Sequence, residues 1–302
     1  MFRKLAPALV APLLLASACA QASDGDALRV DATGTVTPIQ ALRAAPDLAA
    51  EVSTAQVELT MAIEAPDGTF EMHGEGAYDT DAGLMRMTMD MGDFFRGLAE
   101  AEGEELPPGF DEPMEVVVAD GVTYLRIPFL QGLTGQDGWL SATPEDLGQS
   151  GGSLGLPTGG TDPTQLLESL RGTGEVTEAG TEDVRGVPTT RYDVSIDLAT
   201  ALEQAPVDQR ERLEAQLDEL GGSVEDLPMS VWIDDDGLAR RIRVEADATS
   251  FGGTAADGRM TMSIEFFAYG EPVEIDVPPA DEVTSFTDLL GSFGGALGSE
   301  AS

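Results

Sequence analysis

One residue of this chain stands where a specific covalent chemistry would put it. Cys19 follows Leu15-Ala16-Ser17-Ala18, and it is the single cysteine of the sequence. Ahead of it, Arg3 and Lys4 supply a positive region and Leu5–Leu15 a short apolar run, the layout of a secretory signal. A cysteine directly after the small residues makes that signal a lipobox, cut before Cys19 so that the thiol can be acylated. Leucine usually stands three residues before such a cysteine; here Ala16 holds that place and Leu15 is one step further back. The plainer alternative is an ordinary secretory signal with an incidental cysteine. Against it, no second cysteine can pair with Cys19 in a disulfide, and acylation gives an exported lone thiol a use. The apolar run is shorter than the roughly 20 residues of a membrane-spanning helix.

The remaining chemical motifs fail on their surroundings. Gly148-Gln149-Ser150-Gly151-Gly152 has the letters of a nucleophile elbow, but that motif needs a strand before the serine and a helix after it. Glycine and serine flank it here. The one histidine, His73, precedes the serine, opposite to hydrolase order, and it falls on the polar side of an alternating run with Glu71 and Glu75. Asp234-Asp235-Asp236-Gly237 resembles a fragment of a calcium loop without the spaced ligands and closing glutamate; a hairpin turn accounts for it better. Gly172-Thr173-Gly174 lacks the third glycine and the lysine of a phosphate loop. One histidine and one cysteine cannot furnish a zinc site of the usual kind. The expectation is a protein that is not an enzyme and takes no metal or cofactor.

Charge narrows the partners. A formal net charge of -39 disfavours nucleic acid, whose affinity depends on cationic groups neutralising phosphate. It equally disfavours anionic headgroups held by charge alone, so an acyl anchor would have to keep the chain at a membrane. Loss of residues 1–18 would remove Arg3 and Lys4 and no acid, leaving the chain more acidic still. Solubility is the simplest use of such a surface; a saline habitat or the divalent cations of a cell envelope are others. Lys4 is the only lysine and asparagine is absent, which points to a GC-rich genome. With 302 residues, 42% of them hydrophobic, the chain can bury a sizeable core in one large domain or two small ones.

The elements that would position any site read mainly as strands. Val57, Leu59, Met61 and Ile63 alternate with Glu58, Thr60 and Ala62; Phe70, Met72 and Tyr78 oppose Glu71, His73 and Glu75. Met85, Met87, Met89 and Met91 alternate with Arg86, Thr88 and Asp90, and the same period returns at Tyr192–Leu198, Ile242–Ala246 and Met260–Phe266. Strict alternation gives one apolar and one wet face, the mark of antiparallel strands. Asp67-Gly68, Asp120-Gly121 and Asp236-Gly237 sit between such runs as hairpin turns do. Thr37-Pro38-Ile39-Gln40 offers a cap, a first-turn proline and a capping-box glutamine for a helix through Ala50. Further helices are expected from Asp162 to about Leu170 and from Val207 to Leu220. Residues 148–160 read as a mobile loop. The fold class is α+β: one large antiparallel sheet with helices on its single apolar face.

Four stretches and a dipeptide together resemble a known family. They are Met114–Arg126 (MEVVVADGVTYLR), Gly138-Trp139, Val184–Val194 (VRGVPTTRYDV), Val231–Arg241 (VWIDDDGLARR) and Tyr269–Pro279 (YGEPVEIDVPP). In this order, with the lipobox, the chain resembles the actinobacterial LppX/LprG-type lipoproteins, which share a fold with the lipoprotein carrier LolA. The likeness covers roughly residues 36–290. It implies a strongly curved half-barrel sheet with helices over its concave apolar face, and a cavity between them that holds acyl chains of lipids or lipoglycans. A signal at 1–18, a tether at 19–35 and a disordered tail at 291–302 complete the expected organisation.

The family brings no catalytic motif. Candidates for the cavity lining are Leu59, Met61, Met72, Met85, Met87, Met89, Phe94, Phe95, Met260, Met262 and Ile264. Methionine offers soft, adaptable apolar surface for variable tails, and Phe94 and Phe95 could form a flap or entrance. A methionine-rich sheet face under helices is also what an ordinary core looks like. Two functions follow: a membrane-anchored, extracytoplasmic carrier or presenter of envelope lipid, with a lipid-export transporter as a possible partner, or a scaffold or sensor lipoprotein with a filled core.

Overall fold

The computed structural model describes residues 37–65, 68–103, 105–134, 138–143, 146, 176–197, 226–247 and 258–289. Cys19 and its tether, Ser150 and its loop, the helices expected at 162–170 and 207–220, and the tail at 291–302 lie outside these residues. Helix α1 (Pro38–Val52) begins where the cap motif places it, with the Thr37 N–H donating to Gln40 Oε1 at 3.1 Å. Its apolar side, Leu42, Ala45 and Ala49, belongs to one core with Val57, Ile242 and Phe266.

Among the described residues, twelve strands form a single open sheet. They are β1 (Thr54–Ala65), β2 (Gly68–Asp79), β3 (Leu84–Asp90), β4 (Met114–Ala119), β5 (Val122–Arg126) and β6 (Trp139–Ala142). Then come β7 (Val176–Val184), β8 (Val187–Asp197), β9 (Asp226–Asp234), β10 (Ala239–Asp247), β11 (Arg259–Phe267) and β12 (Val283–Ser285). The spatial order is β12-β6-β5-β4-β3-β2-β1-β11-β10-β9-β8-β7. Two runs of sequential neighbours, β1 to β6 and β7 to β11, are therefore joined where β11 pairs with β1. Only β12, laid beside β6, is parallel. The edges are guarded: β12 is three residues long, and β7 carries exposed Glu178, Glu182 and Asp183, a common defence against strand addition.

Two further helices interrupt the first run, α2 (Gly92–Glu102) after β3 and α3 (Pro128–Thr134) after β5. Phe129 and Leu130 of α3 and Phe286, in the helical residues 286–289, pack into the same core as α1. The helices thus lie on one face of the sheet, as the alternation requires.

The turns have the backbone their residues favour. Asp120 and Gly121 both take positive φ, 51° and 75°, between the paired Ala119 and Val122, which matches the right-handed twist of the strands. Arg185 and Gly186 do the same at 50° and 79°. At the β1–β2 hairpin, Asp67 of the expected Asp67-Gly68 turn lies outside the described residues. Ala65 pairs with Gly68, so Gly68 is already strand, with a φ of 150° open chiefly to glycine. The aspartate run closes the β9–β10 hairpin: Asp234 Oδ1 accepts the Asp236 and Leu238 N–H groups at 3.0 and 2.9 Å, and its other oxygen takes Arg240.

Gly74 and Gly76 hold two successive inward positions of β2. A Cβ at Gly76 would sit 2.2 Å from the Arg86 carbonyl oxygen. The neighbouring backbones approach too closely at this point of β2 for any side chain, which is why glycine stands there.

Candidate functional site

The sheet register assembles the apolar face rung by rung. One rung runs Met114–Met89–Gly74–Leu59–Ile264–Ile242–Val231–Tyr192 across β4 to β8. The next, toward the β1–β2 hairpin, runs Met72–Met61–Met262–Val244–Met229–Val194–Val176. No charged side chain stands on either. Three methionines from three adjacent strands therefore sit side by side, although Met61 and Met262 come from opposite ends of the chain.

Burial divides the sequence candidates. Leu59, Met87, Met89, Met260 and Ile264 are between 2% and 9% exposed and belong to packed interior. Met61, Met72, Met85 and Met262 are half-buried, as are Phe94 and Phe95. Met85 lies away from the rest, opposite Tyr78 at the other end of β2 and β3. The half-buried surface is thus concentrated at the Met72–Met61–Met262 rung and toward the hairpin. Gly74, beside Leu59 and Met89, adds no side chain above it, and a Cβ there would meet the Leu59 Cβ at 3.3 Å.

Phe94 and Phe95 sit on α2, at the end of the face. Phe70 of β2 meets Phe94 edge-on at 6.0 Å, Phe94 meets Phe95 at 5.4 Å, and Phe95 meets Phe110 at 5.0 Å. Phe129 of α3 stacks on Phe110 at 4.9 Å and completes the chain of rings. Each such pair contributes about 0.5–1.5 kcal/mol beyond burial. All five rings are half-buried. Phe70 was legible from its strand, while Phe110 and Phe129 carry no periodic signal and were missed. So were Gly74 and Gly76, whose signal was the absence of a side chain where the alternation calls for an apolar one.

The other face is an electrostatic surface. Glu115 takes Arg86 and Arg126 at 2.7 and 3.2 Å. Glu265 binds Arg241 and Arg185, each at 2.7 Å. Burial works against the charged form of Glu265, but the hydrogen bonds from Arg241 and Arg185 outweigh it and hold the carboxyl below its ordinary value. Trp232 lies buried on this face under Arg191 and Arg241 and donates from Nε1 to Glu182 at 3.0 Å. His73 is exposed here, 3.8 Å from Glu71. These groups neutralise one another around a strand framework. At the border of the two faces the Tyr269 hydroxyl donates to the Ala239 carbonyl at 2.6 Å, and burial pushes its ionisation well above the usual phenol range.

No protein-family model matches the chain. Over 172 residues it is 28% identical to an uncharacterized 31.2 kDa protein from the rplA-rplJ intergenic region of Streptomyces griseus. That match takes in 55% of this chain and 53% of the relative, so it spans about half the relative's length. Among solved structures the chain is similar to the lipoprotein LppX of Mycobacterium tuberculosis, at 13% identity and a TM-score of 0.44, over 79% of this chain and 97% of that one. It is similar to LprF of Mycobacterium bovis at 15% identity and a TM-score of 0.43, over 80% and 97%. A LolA-superfamily protein of Nitrosomonas europaea matches at 6% identity and a TM-score of 0.24, over 82% and 97%.

Proposed function

We propose that this protein is a membrane-anchored, extracytoplasmic lipoprotein that holds acyl chains of an envelope lipid or lipoglycan against its apolar sheet face and carries or presents them. The observation that supports this best is the half-buried rung Met72–Met61–Met262 on a face whose two central rungs carry no charge. Unbranched thioether side chains repack around tails of differing shape. Each methylene moved from water onto such a surface contributes about 0.8 kcal/mol, so ten of them contribute about 8 kcal/mol. The two rungs carry no carboxylate, histidine, cysteine or lysine to move a proton or polarise a bond, and burial pushes the ionisation of their tyrosine, Tyr192, upward, which favours binding over catalysis. In this reading Cys19 carries the acyl anchor, residues 19–35 are the tether and a lipid-export transporter is the partner.

A scaffold or sensor with a filled core remains the second reading. It rests on Leu59, Met87, Met260 and Ile264, which are 4% exposed or less. Native mass spectrometry after gentle purification, followed by lipid extraction, separates the two. The expected result is bound lipid in the wild type and its loss in Met61→Arg with the fold retained, because a half-buried site lets the arginine stem lead its charge to water. Wild-type protein that carries no lipid and takes up no fluorescent acyl chain would sink the lipid-binding reading.

A further inference from the structure

We propose that the Met72–Met61–Met262 rung is a thioether site for a soft monovalent cation, Cu(I). Met61 pairs with Met262 of β11 on one side and with Met72 of β2 on the other, so three sulfur-bearing side chains stand next to one another on the apolar face. Directly opposite residues of paired strands have Cβ atoms about 5 Å apart. Met61 is the middle member, and the unbranched side chains of Met72 and Met262 have the torsional freedom to bring their sulfurs toward it from either side. All three residues are half-buried, so the rung is neither sealed off nor fully in water.

The donors select the ion. Thioether sulfur is a soft, uncharged ligand that suits Cu(I), whereas calcium, magnesium and zinc call for carboxylate, carbonyl, imidazole or thiolate. The rest of the rung, Val244, Met229, Val194 and Val176, adds no oxygen or nitrogen side-chain donor. Among the described residues no cluster of histidine, cysteine, aspartate and glutamate could hold a metal ion, so no harder site there competes. The scarcity of histidine and cysteine that argues against zinc therefore leaves this site untouched. A formal charge of -39 draws cations toward the molecule, and the sulfurs decide which is kept. Packing alone does not ask for sulfur, since valine fills neighbouring positions of the same rung. Leucine would offer an acyl chain much the same surface; only a metal needs the thioether.

That difference supplies the test. The full chain carries Cys19→Ser, which removes its single thiol, and is passed over a hydrophobic resin to strip co-purifying lipid. Cu(I), kept reduced with ascorbate, is then divided between the protein and the chromogenic chelator bicinchoninate. The protein is expected to withdraw one Cu(I) per chain and to leave Zn(II) in solution. Met61→Leu is expected to weaken Cu(I) binding by at least the roughly tenfold that loss of even an outer-shell partner costs. The triple variant Met61→Leu, Met72→Leu, Met262→Leu, which still has its other methionines, is expected to lose it. Leucine and methionine are close in volume, so the triple variant should fold and bind fluorescent acyl chains as the wild type does. A chain that withdraws no Cu(I), or leucine variants that withdraw as much as the wild type, overturns the copper site. Uptake of acyl chains by the same preparations is read separately, so failure of the lipid reading is distinguishable from failure of this one.

Discussion

Gly76 and the methionines show how much a single side chain decides on this sheet. A Cβ at Gly76 would collide with the Arg86 carbonyl oxygen at 2.2 Å, and that oxygen is backbone, with nowhere to go. Gly76→Val is expected to cost about 3 kcal/mol or more in urea unfolding, within the range reached by strain and overpacking. Gly74→Ala meets the Leu59 Cβ at 3.3 Å and the Thr88 carbonyl oxygen at 3.4 Å, much looser contacts, and is expected to cost about 1 kcal/mol. Equal costs for the two would contradict the close backbone approach at Gly76. The methionines divide in the same way. Met87 is 2% exposed, so Met87→Arg strands a cation in packed interior and is expected to prevent folding or lower the melting temperature severely. Met61→Arg is expected to fold and lose ligand. The alternation in the sequence put both residues on one face, but it held no information on which of them a neighbour covers.

Arg185 links two elements that are far apart in the chain. It sits in the β7–β8 turn and reaches Glu58 of β1 and Glu265 of β11, with its guanidinium 4.0 Å over the Phe267 ring. The hairpin tip therefore lies against the polar face of the central strands. Glu265 is the pH-sensitive partner. Its folded ionisation is lowered, so it adds stability above its ordinary value of 4.5 and loses that contribution as pH falls through the folded value. Arg185→Ala is expected to cost about 0.5–1 kcal/mol near neutral pH, given the exposure of the pair. The gap to wild type should narrow as pH falls below 4.5. Thermal melts of both proteins across that range test this, and a gap that widens in acid would refute the sign. The β7–β8 turn was present in the sequence as Arg185-Gly186, whereas the partners of Arg185 depend on where the hairpin lands.

For the whole molecule, the proposed anchor makes the sharpest claim. Cys19→Ala is expected to abolish palmitate labelling and shift the protein from the detergent phase to the aqueous phase or to an unprocessed precursor. An unlabelled wild type would refute the lipoprotein reading. No helix among the described residues is long and apolar enough to cross a membrane.

By itself the sequence determined what local physics determines. Period-two alternation assigns faces to a strand whatever its neighbours are, so Val57–Ile63 and Met85–Met89 could be oriented in advance. A turn such as Asp120-Gly121 needs only its own two positive φ angles, and the Thr37–Gln40 cap only its own four residues. Tertiary structure decided what depends on distant partners. The β1–β11 pairing carries Met262 to Met61, and β2, α2, α3 and the residues around Phe110 converge to stack five phenylalanines. Burial then separates Met87 from Met61 on a single face. Alternation along a strand is a property of one segment, but cover and adjacency are properties of the order in which twelve strands assemble, and no one segment encodes that order.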